Sequence, residues 1–435
     1  MNLFPVPPPQ PPVAAEEVAP KYRYWRTRQL YSTFIGYAVY YFVRKNLSCA
    51  MPLMEKDLGI GKAQLGGFLT AHGVIYGLSK FLNGMVADRS NARTFMAFGL
   101  FCSALVNLAF GFSSGALALG IFWMLNGWFQ GIGFPPCARI LSHWFAPQER
   151  GVKWGIWNTS HQVGGAVILW LGGWLGQHYG WRAVFYVPAL FSIVISLFLL
   201  ERLRDTPRSL GLPEVEVFIN GQAPPSNDEP APPEQDDDFA KRLRQRVFGN
   251  PFVWAICFGN FFVYVVRYVF FDWWPTFLTQ ERHFELSQAT QLTSYFELAG
   301  LVGSLLAGFL SDRWLNGKRN PVCLFYLLGT LGVILFYRQM PVLGYWQEAA
   351  AVAAVGFFIY GPQFLVGVMV TDIAGKEAAA SAIGLTGFFG YLSGVLSGYG
   401  LGKMVDLYGW GVSFQLTIAC TIGALICFAL CGRKV

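Results

Sequence analysis

The sequence predicts an all-α membrane protein: twelve transmembrane helices in two pseudo-symmetric six-helix halves. Three observations carry that expectation. The 435 residues are 54% hydrophobic, 17% aromatic and only 13% charged, with mean hydropathy +0.40, a balance that sets the chain apart from soluble enzymes. Twelve apolar runs approach the length of about 20 residues that a bilayer core requires. The second six runs repeat motifs of the first six, as internal duplication demands.

Residues 1–28 open with MNLFPVPPPQPPVAAEEVAPKYRYWR, proline-rich, polar and without an apolar core, so they are expected to form a disordered cytoplasmic tail and not a cleaved signal peptide. The N-terminal half, 29–200, holds runs at 29–51, 64–87, 94–112, 116–141, 153–176 and 182–200. Residues 201–250 are rich in proline and charge, an acidic patch preceding a basic one, and read as a cytoplasmic linker. The C-terminal half, 251–435, holds runs at 251–279, 290–311, 321–338, 345–371, 376–402 and 409–431. GMVADR at 84–89 returns as GFLSDR at 308–313, and YGWRAVF at 179–185 returns as YGWGVSF at 408–414. Gly84 and Gly308 in the first pair are expected to permit close helix approach. Asp88 and Asp312 are expected to pair with neighbouring arginines or helix N-termini as gating contacts.

Numbering the gaps alternately across the membrane sorts the cations. One side, which includes both termini and the linker, carries 21 of the 32 lysines and arginines, and the other side carries six. By the positive-inside rule both termini are cytoplasmic and the number of spans is even. The net charge of +7 then faces the cytoplasm and the lipid head groups and implies no nucleic acid. The eight cysteines lie within or at the ends of apolar runs without metal-ligand spacing, so no metal or disulfide framework is expected. No cofactor motif such as GxxxxGK[ST] is present.

Five cations remain inside the runs: Arg44, Lys45, Lys80, Arg139 and Arg267. A cation at the bilayer centre costs about 2.5 to 3.5 kcal/mol on insertion scales, so it belongs where it meets water, a partner or a ligand. Arg44 and Arg267 lie 223 residues apart in equivalent helices of the two halves. Two guanidinium forks suit the oxygens of one phosphoryl group. Lys80 adds a third cation, and His161 has the chemistry to titrate near neutrality or to hydrogen-bond between helices. Lys45 points about 100° away from Arg44 on a helix and is expected to pair with Asp272 or Glu297. Arg139, near the end of its run, is expected to snorkel. Tyr37, Tyr40, Tyr41, Tyr76, Tyr264, Tyr360 and Tyr391 supply rings and hydroxyls for packing or for ligand contact.

Along most of its length the sequence resembles the organophosphate:phosphate antiporter family of the major facilitator superfamily. The resemblance is carried by YYFVRKN, YGLSKF, DRSNAR, WFQGIGFPPCAR, WNTSHQVGG, LRDTPRSLGLP, FVYVVRY with DWWPTFL, and FIYGPQFLVG with GFFGYLSG. It implies the major facilitator fold and exchange of a phosphorylated sugar, or of glycerol phosphate, for inorganic phosphate by alternating access. Phosphate-binding roles fall on Arg44 and Arg267, cavity roles on Lys80 and His161, and salt bridges on Lys45, Asp272 and Glu297. Hexose 6-phosphate is the expected substrate, in a bacterial inner membrane. YRYWR at 22–26 and the start of the linker resemble the hexose-phosphate sensor branch, so the alternative is a receptor that signals to a membrane histidine kinase. A third reading, a proton-coupled sugar or drug carrier, would rest on Asp272 or Glu297 as the proton site. Nothing in the sequence suggests a catalytic constellation, so no enzyme is expected.

Overall fold

The computed structural model describes residues 4–220, 244–315, 317–340, 344–374 and 379–432. Among them there are helices and connections and no strand. Among the described residues eight helical stretches are long and apolar enough to cross a bilayer: Ala92–Phe112, Ala116–Trp144, Ala183–Arg202, Pro251–Gln280, Leu286–Trp314, Asn320–Gln339, Tyr345–Ala374 and Gly411–Cys431. The other four expected runs are helical as well, but polar residues or breaks dilute them. They correspond to Ala15–Phe42 with Asn46–Leu58, Lys62–Asp88, Pro147–Asn158 with Ser160–Tyr179, and Ala379–Gly394 with its continuation to Tyr408. Three of these four carry Arg44, Lys45, Lys80 and His161, while Arg139 and Arg267 lie in two of the eight apolar stretches, Ala116–Trp144 and Pro251–Gln280.

By contacts the chain divides into two compact units that do not follow the sequence halves. The first comprises Met1–Arg44, Ile75–Gly165 and Phe185–Pro233; the second comprises Lys45–Val74, Ala166–Val184 and Glu234–Val435. The boundary in the first run falls between its two adjacent cations.

In the first unit the N-terminal segment corrects the expectation of a disordered tail. Residues from Ala15 onward are helical, and Tyr22 is fully buried. Between Pro7 and Val13 only Gln10 and Val13 have backbone N–H groups, because proline lacks one. Both are used: Gln10 donates to the Arg208 carbonyl at 3.0 Å and Val13 to the Gly211 carbonyl at 3.0 Å. Gly211 has φ of +70°, and a Cβ there would run into the Pro11 carbonyl, so two separate constraints select glycine. Tyr22 stacks on Phe218 at 4.1 Å and donates its hydroxyl to the Pro213 carbonyl. A proline-rich strand has no internal hydrogen bonds, and here the early linker supplies partners from outside.

The start of the expected linker is therefore folded. Asp205 is 1% exposed. Its Oδ1 accepts from the Ala92 backbone N–H at 2.8 Å, satisfying an orphan donor at the start of Ala92–Phe112. Arg139 grips the same carboxylate with two nitrogens, at 3.1 and 3.2 Å. Arg139 thus pairs with a buried carboxylate, where snorkelling was expected.

In the second unit Leu286–Phe309 and Tyr345–Ala374 pack backbone to backbone. A Cβ on Gly303 would collide with the Phe357 carbonyl, and one on Gly356 with the Phe296 carbonyl, the small-residue contact that lets helices approach in a membrane. Gly66 sits in the same way on the Gly398 carbonyl, and Gly402 on that of Lys62. The expectation for Gly84 is overturned: among the described residues nothing lies within 4 Å of where its Cβ would stand, whereas Gly308 does meet the Phe364 ring at 3.2 Å. Flanking sequence could not separate the two, because close approach depends on the neighbour.

Candidate functional site: intramembrane cations and phenols

The first run is not one helix. Ala15–Phe42 stops, residues 43–45 form a turn, and Asn46–Leu58 begins anew. A broken helix exposes carbonyls that the bilayer will not satisfy. Here the Val43 carbonyl accepts from Asn126 Nδ2 at 2.8 Å and from Asn107 Nδ2 at 3.0 Å, side chains of two neighbouring helices that are fully buried. Helix Pro251–Tyr268, the repeat-related element, is also irregular beside its arginine. Two residues past Arg267 it widens into a single π turn, Val269–Trp273, before Trp274–Gln280 resumes. Such turns concentrate at functional positions, and interrupted helices are how carriers present polar groups at membrane depth.

Within the first unit the Arg44 guanidinium lies 3.9 Å from the Tyr76 ring centroid and 5.2 Å from that of Tyr41. Tyr76 and Lys80 stand one turn apart on Lys62–Asp88, which brings Lys80 within electrostatic reach of Arg44 and of Tyr76. The Lys80 ammonium sits 4.0 Å from the Phe134 ring centroid. His161 places its ring 5.8 Å from Tyr41, and its Nδ1 donates to the Asn158 carbonyl. Tyr37 packs between Tyr41 at 5.9 Å and Trp157 at 4.9 Å. Six expected residues thus form one continuous neighbourhood, in which two cations face aromatic rings.

The second unit builds its cation differently. Arg267 Nε donates to the Tyr360 hydroxyl at 2.9 Å, Tyr360 donates onward to Glu297, and Glu297 lies 4.0 Å from the guanidinium. This triad exists because Gly300 leaves the Tyr360 ring room against its own helix. Tyr264 and Tyr268 place their rings 5.7 and 5.9 Å from Arg267. Tyr391 lies on Ala379–Gly394 beside Gly390, which faces Asn260 and Tyr264.

Lys45 pairs with Asp272 at 2.6 Å, and Ser48 donates to the same carboxylate oxygen at 3.0 Å. Of the two carboxylates open to Lys45, Asp272 holds the direct contact and Glu297 is taken up by Tyr360. The Lys45 ammonium also lies 4.4 Å from the Phe271 ring. Asp312 pairs with Arg319; the side chain of Asp88 lies outside the described residues.

Sequence reading missed several participants. Ser48, Phe271 and Tyr268 carry no signal of their own. Asn107 and Asn126 do, being amides within apolar runs, where polar side chains serve as glue between helices. Also missed is a buried cluster in which Arg282 meets Glu348 at 3.2 Å and Tyr337 donates to that same carboxylate.

A helical chain of repeated halves, with broken helices carrying cations at membrane depth, defines a membrane carrier. The profile of the Major Facilitator Superfamily matches residues 33–398, and the chain belongs to that superfamily as an integral membrane protein. Its curated relatives include a "Probable hexose phosphate transport protein" of Chlamydia pneumoniae, 41% identical over 420 residues, 95% of this chain and 92% of that one. The "Glycerol-3-phosphate transporter" of Bacillus subtilis is 39% identical over 94% of this chain and 93% of its own. The "Membrane sensor protein UhpC" of Escherichia coli is 38% identical, with the same coverage. Within the superfamily these relatives put the chain in the organophosphate:phosphate antiporter family. Among solved structures, a bacterial homologue of the human lysosomal transporter Spinster, inward-facing and unoccupied, aligns with a TM-score of 0.73 over 94% of this chain and 96% of that one at 19% identity, a likeness of fold.

Proposed function

We propose that the chain carries a phosphorylated sugar, hexose 6-phosphate foremost, across a bacterial inner membrane in exchange for inorganic phosphate, by alternating access and with both termini cytoplasmic. The observation that carries the reading is the pair of repeat-related arginines, each beside an interruption of its helix and each among tyrosines. Arg44 and Arg267 bind the phosphoryl oxygens, Lys80 adds positive potential, and His161 adjusts its proton to the charge of the phosphate. Tyr37, Tyr41, Tyr76, Tyr264, Tyr360 and Tyr391 supply hydroxyls and rings to the ligand. The Lys45–Asp272 pair and the carboxylates Glu297, Asp88 and Asp312 serve the gating contacts.

The physical logic is electrostatic. Without a ligand the buried cations disfavour burial together; a bound phosphoryl dianion offsets them, so occlusion follows loading and exchange is obligatory. The names of the Chlamydia and Bacillus relatives support the substrate class.

The test is exchange of radiolabelled phosphate in proteoliposomes preloaded with phosphate, comparing wild type with Arg44→Lys and Arg267→Lys, with glucose 6-phosphate and glycerol 3-phosphate as competitors. Exchange by wild type and its loss in both variants is expected, glucose 6-phosphate being the stronger competitor. Binding of these phosphates without movement overturns transport in favour of a receptor, the activity named for the Escherichia coli relative.

A further inference from the structure

The break at 43–45 needs an explanation that its own sequence does not provide, since FVRKN contains neither glycine nor proline. The surroundings provide one. Asn126 Nδ2 and Asn107 Nδ2 both donate to the Val43 carbonyl, at 2.8 and 3.0 Å. Behind them the amides are held in turn. Ser103 donates to Asn126 Oδ1 at 2.5 Å, Gln130 Nε2 donates to Ser103 Oγ at 2.8 Å, and Asn107 Nδ2 also reaches the Ser103 carbonyl at 2.9 Å. Ser103, Asn107 and Asn126 are fully buried and Gln130 is 2% exposed. Four polar side chains from two apolar helices therefore converge on one backbone carbonyl, immediately before the arginine.

We propose that Asn107 and Asn126, braced by Ser103 and Gln130, are positioning residues that hold the helix break and thereby aim Arg44. In an unbroken helix the Val43 carbonyl would be bonded by the N–H of residue 47, and Arg44 and Lys45 would follow helical directions about 100° apart. With that carbonyl claimed by two amides, the turn is kept open. Arg44 then goes to Tyr76 and the neighbourhood of Lys80, while Lys45 passes into the second unit and to Asp272. Amide clamping is economical here: a neutral donor satisfies the carbonyl without adding charge beside two cations already costly at membrane depth. The use of Arg44 as a phosphate ligand rests on the function proposed above; the clamp itself does not.

Two measurements on purified protein separate the two. The first uses no ligand: amide hydrogen exchange over residues 41–48 in wild type and in Asn107→Ala/Asn126→Ala. Released from the asparagines, the Val43 carbonyl is open to the N–H of residue 47, so the clamp predicts exchange at that amide slower by about tenfold in the variant, with protection in Leu286–Phe309 unchanged. Unchanged exchange over 41–48 overturns the clamp. The second is binding of radiolabelled inorganic phosphate in a double-mutant cycle with Arg44→Ala. The asparagine changes should weaken binding several-fold when Arg44 is present and not at all when it is absent. Equal weakening in both backgrounds assigns the asparagines a general packing role and overturns positioning. If wild type binds no phosphate, the functional reading falls while the exchange measurement still decides the clamp. Should the double alanine variant fail to fold, Asn126→Ser, which shortens the donor and leaves Asn107 in place, carries the same two predictions at smaller amplitude.

Discussion

The buried pair of Lys45 and Asp272 offers the sharpest test of the energetics. Its nitrogen and oxygen are 2.6 Å apart, and the two side chains are only 10% and 9% exposed, so solvent screens the interaction little. Replacing Asp272 with asparagine leaves an ammonium without its counter-ion in an apolar surrounding, a loss of about 3 to 5 kcal/mol for a buried pair. The Phe271 face at 4.4 Å returns roughly 1 kcal/mol of cation–π attraction. Ser48 loses a charged acceptor, costing again about 1 kcal/mol. The expected net loss is therefore about 3 to 5 kcal/mol for Asp272→Asn, and a similar one for Lys45→Met. The double variant removes both charges and should recover most of either loss. The assay is unfolding of the purified protein in detergent by titration with sodium dodecyl sulfate, followed by tryptophan fluorescence, for all four proteins. If the double variant loses the sum of the two singles to within about 0.5 kcal/mol, the sites are independent and the reasoning fails.

Three further outcomes follow from particular contacts. Gly303→Ala should cost about 1 to 3 kcal/mol through collision with the Phe357 carbonyl, while Gly84→Ala, with none of the described residues near its Cβ, should gain up to about 1 kcal/mol of helix propensity; the same unfolding titration compares them. Asp205→Ala strips Arg139 of its carboxylate and the Ala92 N–H of its acceptor, so a loss of about 3 kcal/mol and faster trypsin cleavage at Arg204 and Arg208 are expected. Burial pushes the Tyr22 hydroxyl well above its ordinary value of 10.0. The unfolded chain therefore ionises first, and this contribution, complete below pH 10, is lost as pH rises beyond it. Tyr22→Phe should cost about 1 kcal/mol at neutral pH and flatten the alkaline decline in thermal stability.

The spans were readable because about 20 apolar residues have few other uses, and the intramembrane cations because charge in such a run is rare enough to mean something. What escaped reading had its cause elsewhere in the chain. The turn at 43–45 is made by amides 60 and more residues away. The proline-rich segment is fixed by carbonyls near residue 210, and nothing local distinguishes a polyproline stretch with partners from one without. Gly84 and Gly308 stand in matching motifs, yet only the second meets a ring. Of the functional candidates, Arg267, Glu297 and Tyr360 are joined by direct bonds in the second unit, as are Lys45 and Asp272. The hydroxyl that links Arg267 to Glu297 depends on a glycine whose importance no motif announced.

The adjacent cations that interrupt the first run acquire a reason once symmetry and its breaking are taken together. Duplication gives each half an arginine, but two identical halves would give matching charges and nothing to offset them. The second half departs from the repeat by carrying both carboxylates, Glu297 beside its own Arg267 and Asp272 beside Lys45 from the first half. Lys45 is thereby neutralised within the second unit, and Arg267 is held by a tyrosine with a carboxylate at 4.0 Å. Arg44, in the first unit, lies against the faces of Tyr76 and Tyr41 with Lys80 within electrostatic reach. On the proposed function Arg267 therefore meets the phosphoryl group already oriented by Tyr360 and Glu297, and the second half's departure from the repeat fixes the direction of that contact.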